Sequence, residues 1–92
     1  MVLKIFTVFD SKVGAYKQPL FMRSSGEALR SIMECVSDNN HPFSKYSEDY
    51  SLFELGEYDD DSAAFDLHPT PKSIARLNEL KARPDSLKAV NN

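Results

Sequence analysis

No segment restricts the fold of this chain more than residues 2–9, Val-Leu-Lys-Ile-Phe-Thr-Val-Phe. β-branched and aromatic side chains dominate, with no Gly or Pro, so the segment reads as a strand. Side chains alternate across a strand, which puts Leu3, Ile5 and Phe9 on one face and Phe6 and Val8 on the other. Both faces are apolar, the pattern of a strand covered on two sides. The chain has 92 residues, which suffices for one domain with one core. One helix can cover one face, so the second face is expected to meet another subunit, as a homodimer.

The remaining elements follow from local signals. Asp10 to Gly14 is a loop, and residues 15–23 read as a second strand. Pro19 has no N–H to donate, so that strand belongs at an edge or a bulge. Ser24-Ser25-Gly26-Glu27 matches a capping box. Ala28, Leu29, Ile32, Met33 and Val36 then recur at helical spacing as far as Ser37. Residues 40–49 read as a long polar loop, 50–58 as a third strand, Asp59-Asp60-Asp61-Ser62 as a turn and 63–67 as a fourth strand. His68-Pro69-Thr70-Pro71 is expected to end the sheet, because each proline removes a donor and disfavours helix before it. Ser73 to Lys81 reads as a short helix with Ile74, Leu77 and Leu80 on one face, ended by Pro84; Asp85 to Asn92 is expected to be disordered.

The order is ββαββ, an α+β fold: a four-stranded antiparallel sheet with one helix packed on one face. Residues 1–70 form the domain, and 71–92 a basic C-terminal segment that is partly helical or disordered.

Charge is divided along the chain. Residues 1–70 carry six Lys/Arg against twelve Asp/Glu, whereas residues 71–92 carry five against two, within a net charge of −3. Between Tyr46 and Pro71 there are eight acids and no Lys or Arg. A general polyanion binder is basic overall, so any nucleic-acid contact here must use a local patch or the C-terminal segment. No apolar run approaches the ~20 residues needed to span a bilayer, and Met1-Val2-Leu3-Lys4 lacks the form of a signal peptide. A single cysteine, Cys35, suits a reducing interior. The expectation is a protein of the cytoplasm without membrane contact.

Catalytic and metal chemistry find little support. Cys35, His41 and His68 are isolated in sequence, without paired ligand spacing. The Asp59-Asp60-Asp61 run lacks the spacing, the central Gly and the terminal Glu of a calcium loop, and reads as a solvated hairpin turn. Glu54 and Glu57 differ in strand parity, which makes them poor acid–base partners. No phosphate-cradling glycine loop is present. The reading is non-enzymatic, with no cofactor and no metal.

Nucleic-acid binding has local support. Lys4, Lys12, Lys17 and Arg23 lie on or beside the first hairpin, interleaved with Phe6, Tyr16 and Phe21. Cations with exposed aromatics on a sheet make a stacking platform for single strands. Lys72, Arg76, Lys81, Arg83 and Lys88 add cations that can follow a phosphate backbone. In this reading the lysines and arginines hold phosphates while Tyr16 or Phe21 stacks on bases. The competing reading makes the aromatics core or dimer interface and the cations plain surface.

Several segments in order carry a family resemblance: Lys4-Ile5-Phe6-Thr7-Val8-Phe9-Asp10-Ser11-Lys12, Ala15-Tyr16, Pro19-Leu20-Phe21, Gly26-Glu27-Ala28-Leu29-Arg30, Ser47-Glu48-Asp49-Tyr50-Ser51-Leu52 and Leu55-Gly56-Glu57-Tyr58-Asp59. Over residues 3–67 the chain resembles the small nonstructural protein of gokushoviruses, tailless microvirus-group phages with circular single-stranded DNA. One departure is local: relatives often carry His-Pro before Glu-Asp-Tyr, where this chain has Tyr46-Ser47, its His41-Pro42 coming earlier. The resemblance implies a protein absent from the mature capsid, acting in the bacterial host. It implies a DNA-binding role in the switch of genome replication from duplex copies to single strands for packaging. It brings no catalytic motif. A second expectation, drawn from the charge map, is a regulator whose acidic segment Glu48 to Asp66 docks on a basic partner such as the phage replication initiator, a scaffold or a host replication protein.

Overall fold

The computed structural model describes residues 1–81. It contains β1 (Val2–Asp10), β2 (Ala15–Tyr16), β3 (Leu20–Met22), α1 (Ser25–Ser37), α2 (Pro42–Lys45), a 3-10 turn (Ser47–Asp49), β4 (Tyr50–Asp59) and β5 (Ala64–Arg76). Residues 77–81 are helical. The sheet is antiparallel in the order β2-β1-β4-β5, with β3 pairing β1 on the same edge as β2. The fold is thus α+β, with four strand positions and a helix on one face.

The expected second strand is split in two by Lys17-Gln18-Pro19. The Lys17 N–H still donates to the Val8 carbonyl at 2.9 Å, and the Lys17 carbonyl accepts from the Thr7 hydroxyl at 2.7 Å. Pro19 has no donor, and pairing resumes only at Leu20.

The Ser24 side chain caps α1, accepting from the Glu27 N–H at 3.2 Å. Ala28, Ile32 and Val36 recur on one stripe and pack with Phe6, Val8, Tyr50 and Leu52 in the core. The expected loop at 40–49 contains a helical turn of its own. Pro42 opens α2, where a missing N–H costs nothing, and His41 Nδ1 accepts from the Phe43 N–H at 3.0 Å. The Phe43 ring then meets Tyr50 at 4.8 Å.

The sheet does not end at His68-Pro69-Thr70-Pro71. β5 runs on to Arg76 as an edge strand, where a proline needs no outward partner. The pairing skips instead of stopping: Gly56 faces Leu67, and two residues earlier on β4 Glu54 faces Lys72, so residues 68–71 form an irregular loop-out. The expected helix at Ser73 is accordingly strand as far as Arg76 and helical only from Leu77. Leu77 and Leu80 are fully buried in the core beneath α1. Each such leucine contributes about 1.5–3 kcal/mol, enough to hold this end of the chain on the sheet. Lys81 Nζ donates to the Ser44 carbonyl at 2.9 Å. The expected break at Pro84 and disorder from Asp85 lie outside the described residues.

Candidate nucleic-acid interface

Alternation on β1 fixes the two faces of the sheet. Phe6 and Val8 look into the core under α1, so Leu3, Ile5, Thr7 and Phe9 look the other way. Paired residues in an antiparallel sheet share a face. Phe9 pairs with Tyr16, Thr7 with Phe53, Ile5 with Phe21, Leu3 with Tyr58 and Tyr58 with Phe65. The face away from α1 therefore carries six aromatic rings in two groups. Phe9, Tyr16 and Phe53 have centroids 4.8, 5.8 and 6.4 Å apart. Tyr58 stands 5.6 Å from Phe21 and 4.8 Å from Phe65. Ile5 and Thr7, between the groups along β1, are buried. Tyr16 (49 %), Phe21 (44 %), Phe65 (58 %) and Leu67 (59 %) are exposed.

The charges divide between the faces. No Asp or Glu among the strand residues falls on the aromatic face, where the register puts one charge, Arg76, paired with Ser51 beside Phe9. The strand acids Asp10, Glu54, Glu57, Asp59 and Asp66 fall on the α1 side. Of the eight acids that a linear reading runs together, the four on strands, Glu54, Glu57, Asp59 and Asp66, are thus kept off the aromatic face by parity.

The sequence-selected residues are partly brought together. Tyr16 and Phe21 share the aromatic face. Lys12 is exposed in the turn after β1, its N–H bonded to the Asp10 carboxylate at 3.0 Å. Arg23 is exposed just after β3. Lys4, Lys17 and Lys72 sit on the other side. Lys4 Nζ is 3.7 Å from Glu54, Lys17 Nζ lies 5.6 Å over the Tyr50 ring, and Lys72 pairs with Glu54 in the ladder. Phe6, also selected as interleaved, is wholly buried. Lys81 is spent on Ser44. Arg83 and Lys88 lie outside the described residues. Phe9, Phe53, Tyr58 and Phe65 were not singled out; their parity within each strand hints at a shared face, but only cross-strand register joins them.

Two polar clusters flank this architecture on the acidic side. Glu54 is buried, with His68 Nε2 at 2.6 Å and Lys4 at 3.7 Å. Burial works to raise its pKa, but the His68 hydrogen bond and the charges of Lys4, His68 and Lys72 outweigh it and hold the carboxyl below the usual glutamate range. Asp59, Asp60 and Asp61 form the β4–β5 turn, and the Met1 ammonium stands 2.7 Å from Asp60 and 3.1 Å from Asp61. Their carboxylates lie close enough to surround a cation, and the segment is the turn that joins β4 to β5. A cleft of about 730 Å³ opens beside α1, lined by Val8, Tyr16, Lys17, Ile32, Cys35 and Phe43 among others. Burial, followed by the nearby Glu34 and Asp38 charges, pushes the Cys35 thiol up, so it stays protonated and is a poor nucleophile.

The family model described as Phage ORF5 protein matches residues 3–80. The chain belongs to this family. The match takes in all five strands of the Phage ORF5 protein fold and ends at Leu80, the last residue of the core. The family description gives a phage setting and no activity. No curated protein and no solved structure matches this Phage ORF5 chain. Among its described residues no helix is long and apolar enough to cross a membrane.

Proposed function

We propose that this phage protein, of the gokushovirus nonstructural type within the microviruses, binds single-stranded DNA in the host cytoplasm and helps turn genome replication from duplex copies to single strands for packaging. One observation carries the reading: an aromatic sheet face free of strand acids on a chain whose net charge is −3. Unpaired bases can stack on such a face, at about 1–3 kcal/mol per base, without bringing phosphates against carboxylates. Tyr16, Phe21 and Phe65 are the exposed rings. Arg76 on the face, with Arg23 and Lys12 at its hairpin margin, supplies phosphate contacts. Lys4, Lys17 and Lys72, which the sequence suggested, are secondary in this reading because they lie on the acidic side. The chemistry is binding, without catalysis or cofactor.

The test is a gel shift with single- and double-stranded oligonucleotides across a salt series. Neutralising about three phosphates of a single strand, one each for Arg76, Arg23 and Lys12, predicts a slope of log affinity on log salt near −2. Binding of single strands with such a slope, and weaker binding of duplex, is the expected result. No retention at low salt, or a slope near zero, overturns it.

A second reading has its own observation: the acids gathered on the α1 side and the β4–β5 turn. There a basic protein, such as the replication initiator or a host replication protein, would dock. Charge reversal of Asp59, Asp60 and Asp61 that leaves capture of the initiator intact would count against it.

A further inference from the structure

We propose that, when no DNA is bound, the aromatic face is closed by a second copy of the chain across a two-fold axis, so that self-association and DNA binding exclude each other. The exclusion rests on the DNA-binding reading above; the self-association stands without it.

The area argues for a protein partner. An aromatic side chain presents about 150–250 Å², so Tyr16, Phe21 and Phe65, each about half exposed, with Leu67, offer roughly 400 Å². That alone falls within the range of the largest apolar patch on a typical monomer, about 300–600 Å². Phe9, Phe53 and Tyr58, all partly exposed, extend it toward the roughly 800 Å² that each side of a specific interface buries.

The charge pattern selects a second copy. A two-fold interface brings the same patch against itself. The chain's strand acids lie on the opposite side of the sheet, so two such faces meet without carboxylate repulsion. Among the described strand residues the one charge on the face sits at one end: Arg76 pairs with Ser51, seven residues along β4 from Tyr58, or about 23 Å. Antiparallel apposition therefore keeps the two arginines apart. It sets each over the end of its twin that carries partly exposed Tyr58 and exposed Phe65, a pairing of guanidinium with aromatic rings.

The same rings cannot hold a base and a second subunit at once. Protein concentration then weakens apparent DNA affinity, and single-stranded DNA dissolves the dimer.

Sedimentation velocity of the full chain tests this, first alone over a concentration series and then with an oligo-dT of about 15 nucleotides. The expected result is a reversible dimer that converts to one chain per oligonucleotide. Phe65→Asp and Arg76→Glu, both at exposed positions, should each weaken the dimer by at least about tenfold. Lys45→Glu, an equal charge change on α2, should leave it unchanged, with circular dichroism confirming that all three variants fold. A monomer at every concentration overturns the proposal, as does a dimer that resists both face variants. A dimer that stays intact with oligonucleotide bound overturns the exclusion while leaving the DNA reading in place. A dimer that binds no oligonucleotide supports the self-association and overturns the DNA reading together with the exclusion.

Discussion

His68 Nε2 stands 2.6 Å from Glu54 Oε2, bridging β4 and β5 where their register breaks. The contact joins the first residue of the looped-out 68–71 segment to the one buried strand carboxylate, so the irregular part of the edge strand is tied to the interior through one side chain. The loop-out also lets β5 pass two prolines and resume pairing at Lys72.

Glu54 makes stability depend on acidity. Its pKa is depressed on folding, so its contribution is complete above the unfolded value, near 4.5, and fades as pH falls through the lower folded value. Glu54→Gln should cost about 2 kcal/mol at pH 7, the range for a hydrogen bond to a charged group. Urea unfolding of both proteins at pH 7 and about pH 3 measures it. The gap between them should shrink at the acidic pH; a gap of equal size at both would show that the charge of Glu54 is immaterial.

Gly56 has no room for a side chain. A Cβ there would stand 2.7 Å from Leu67 Cα and collide with the Asp66 carbonyl, at a φ of +152° that L residues rarely adopt. Gly56→Ala should destabilise by about 3 kcal/mol or more through strain and a displaced β5. Chemical denaturation should register the loss, and hydrogen exchange should locate it in β4 and β5.

Ala63 ends the acidic turn at φ 60°, left-handed backbone that favours glycine. Its N–H closes the turn on the Asp59 carbonyl at 2.8 Å. Ala63→Gly should raise stability by about 0.5–1 kcal/mol, as relief of left-handed strain exceeds the entropy glycine adds to the unfolded chain. A fall in the denaturation midpoint would contradict this.

Ser24→Ala removes the side-chain acceptor of the Glu27 N–H. It should cost about 1 kcal/mol, and Ser24→Asp should restore most of it. Thermal unfolding of the pair separates the cap from any packing role, since an aspartate cap keeps the oxygen.

Much of the scaffold can be read in the chain because its causes are local. The alternation in residues 2–9 marks β1, and the Ser24 cap with the Ala28–Ile32–Val36 stripe marks α1 to its final residue. The start of β5 at residues 64–67 is legible, but its continuation to Arg76 is hidden because its causes are distant: edge position, Gly56 opposite and Glu54 beneath His68 let a strand pass Pro69 and Pro71 where local rules end one. Leu77 and Leu80 are recognisably apolar at helical spacing, but their place in the main core depends on that extended strand. The site divides in the same way. Tyr16 and Phe21 stand out beside cations in sequence. The grouping of Phe9, Phe53, Tyr58 and Phe65 with them, and the removal of Lys4, Lys17 and Lys72 to the acidic side, are matters of register between strands.

If unpaired bases stack on the aromatic face, removing its exposed rings must weaken DNA binding. Fluorescence anisotropy of a labelled oligo-dT at low salt, compared between the wild-type chain and Tyr16→Ala/Phe65→Ala, tests it most directly. Both rings are exposed and outside the core, so the variant should fold as the parent does. The expected result is an affinity loss of at least about tenfold, from stacking energies of about 1–3 kcal/mol per base. Equal affinity in the two proteins would contradict it.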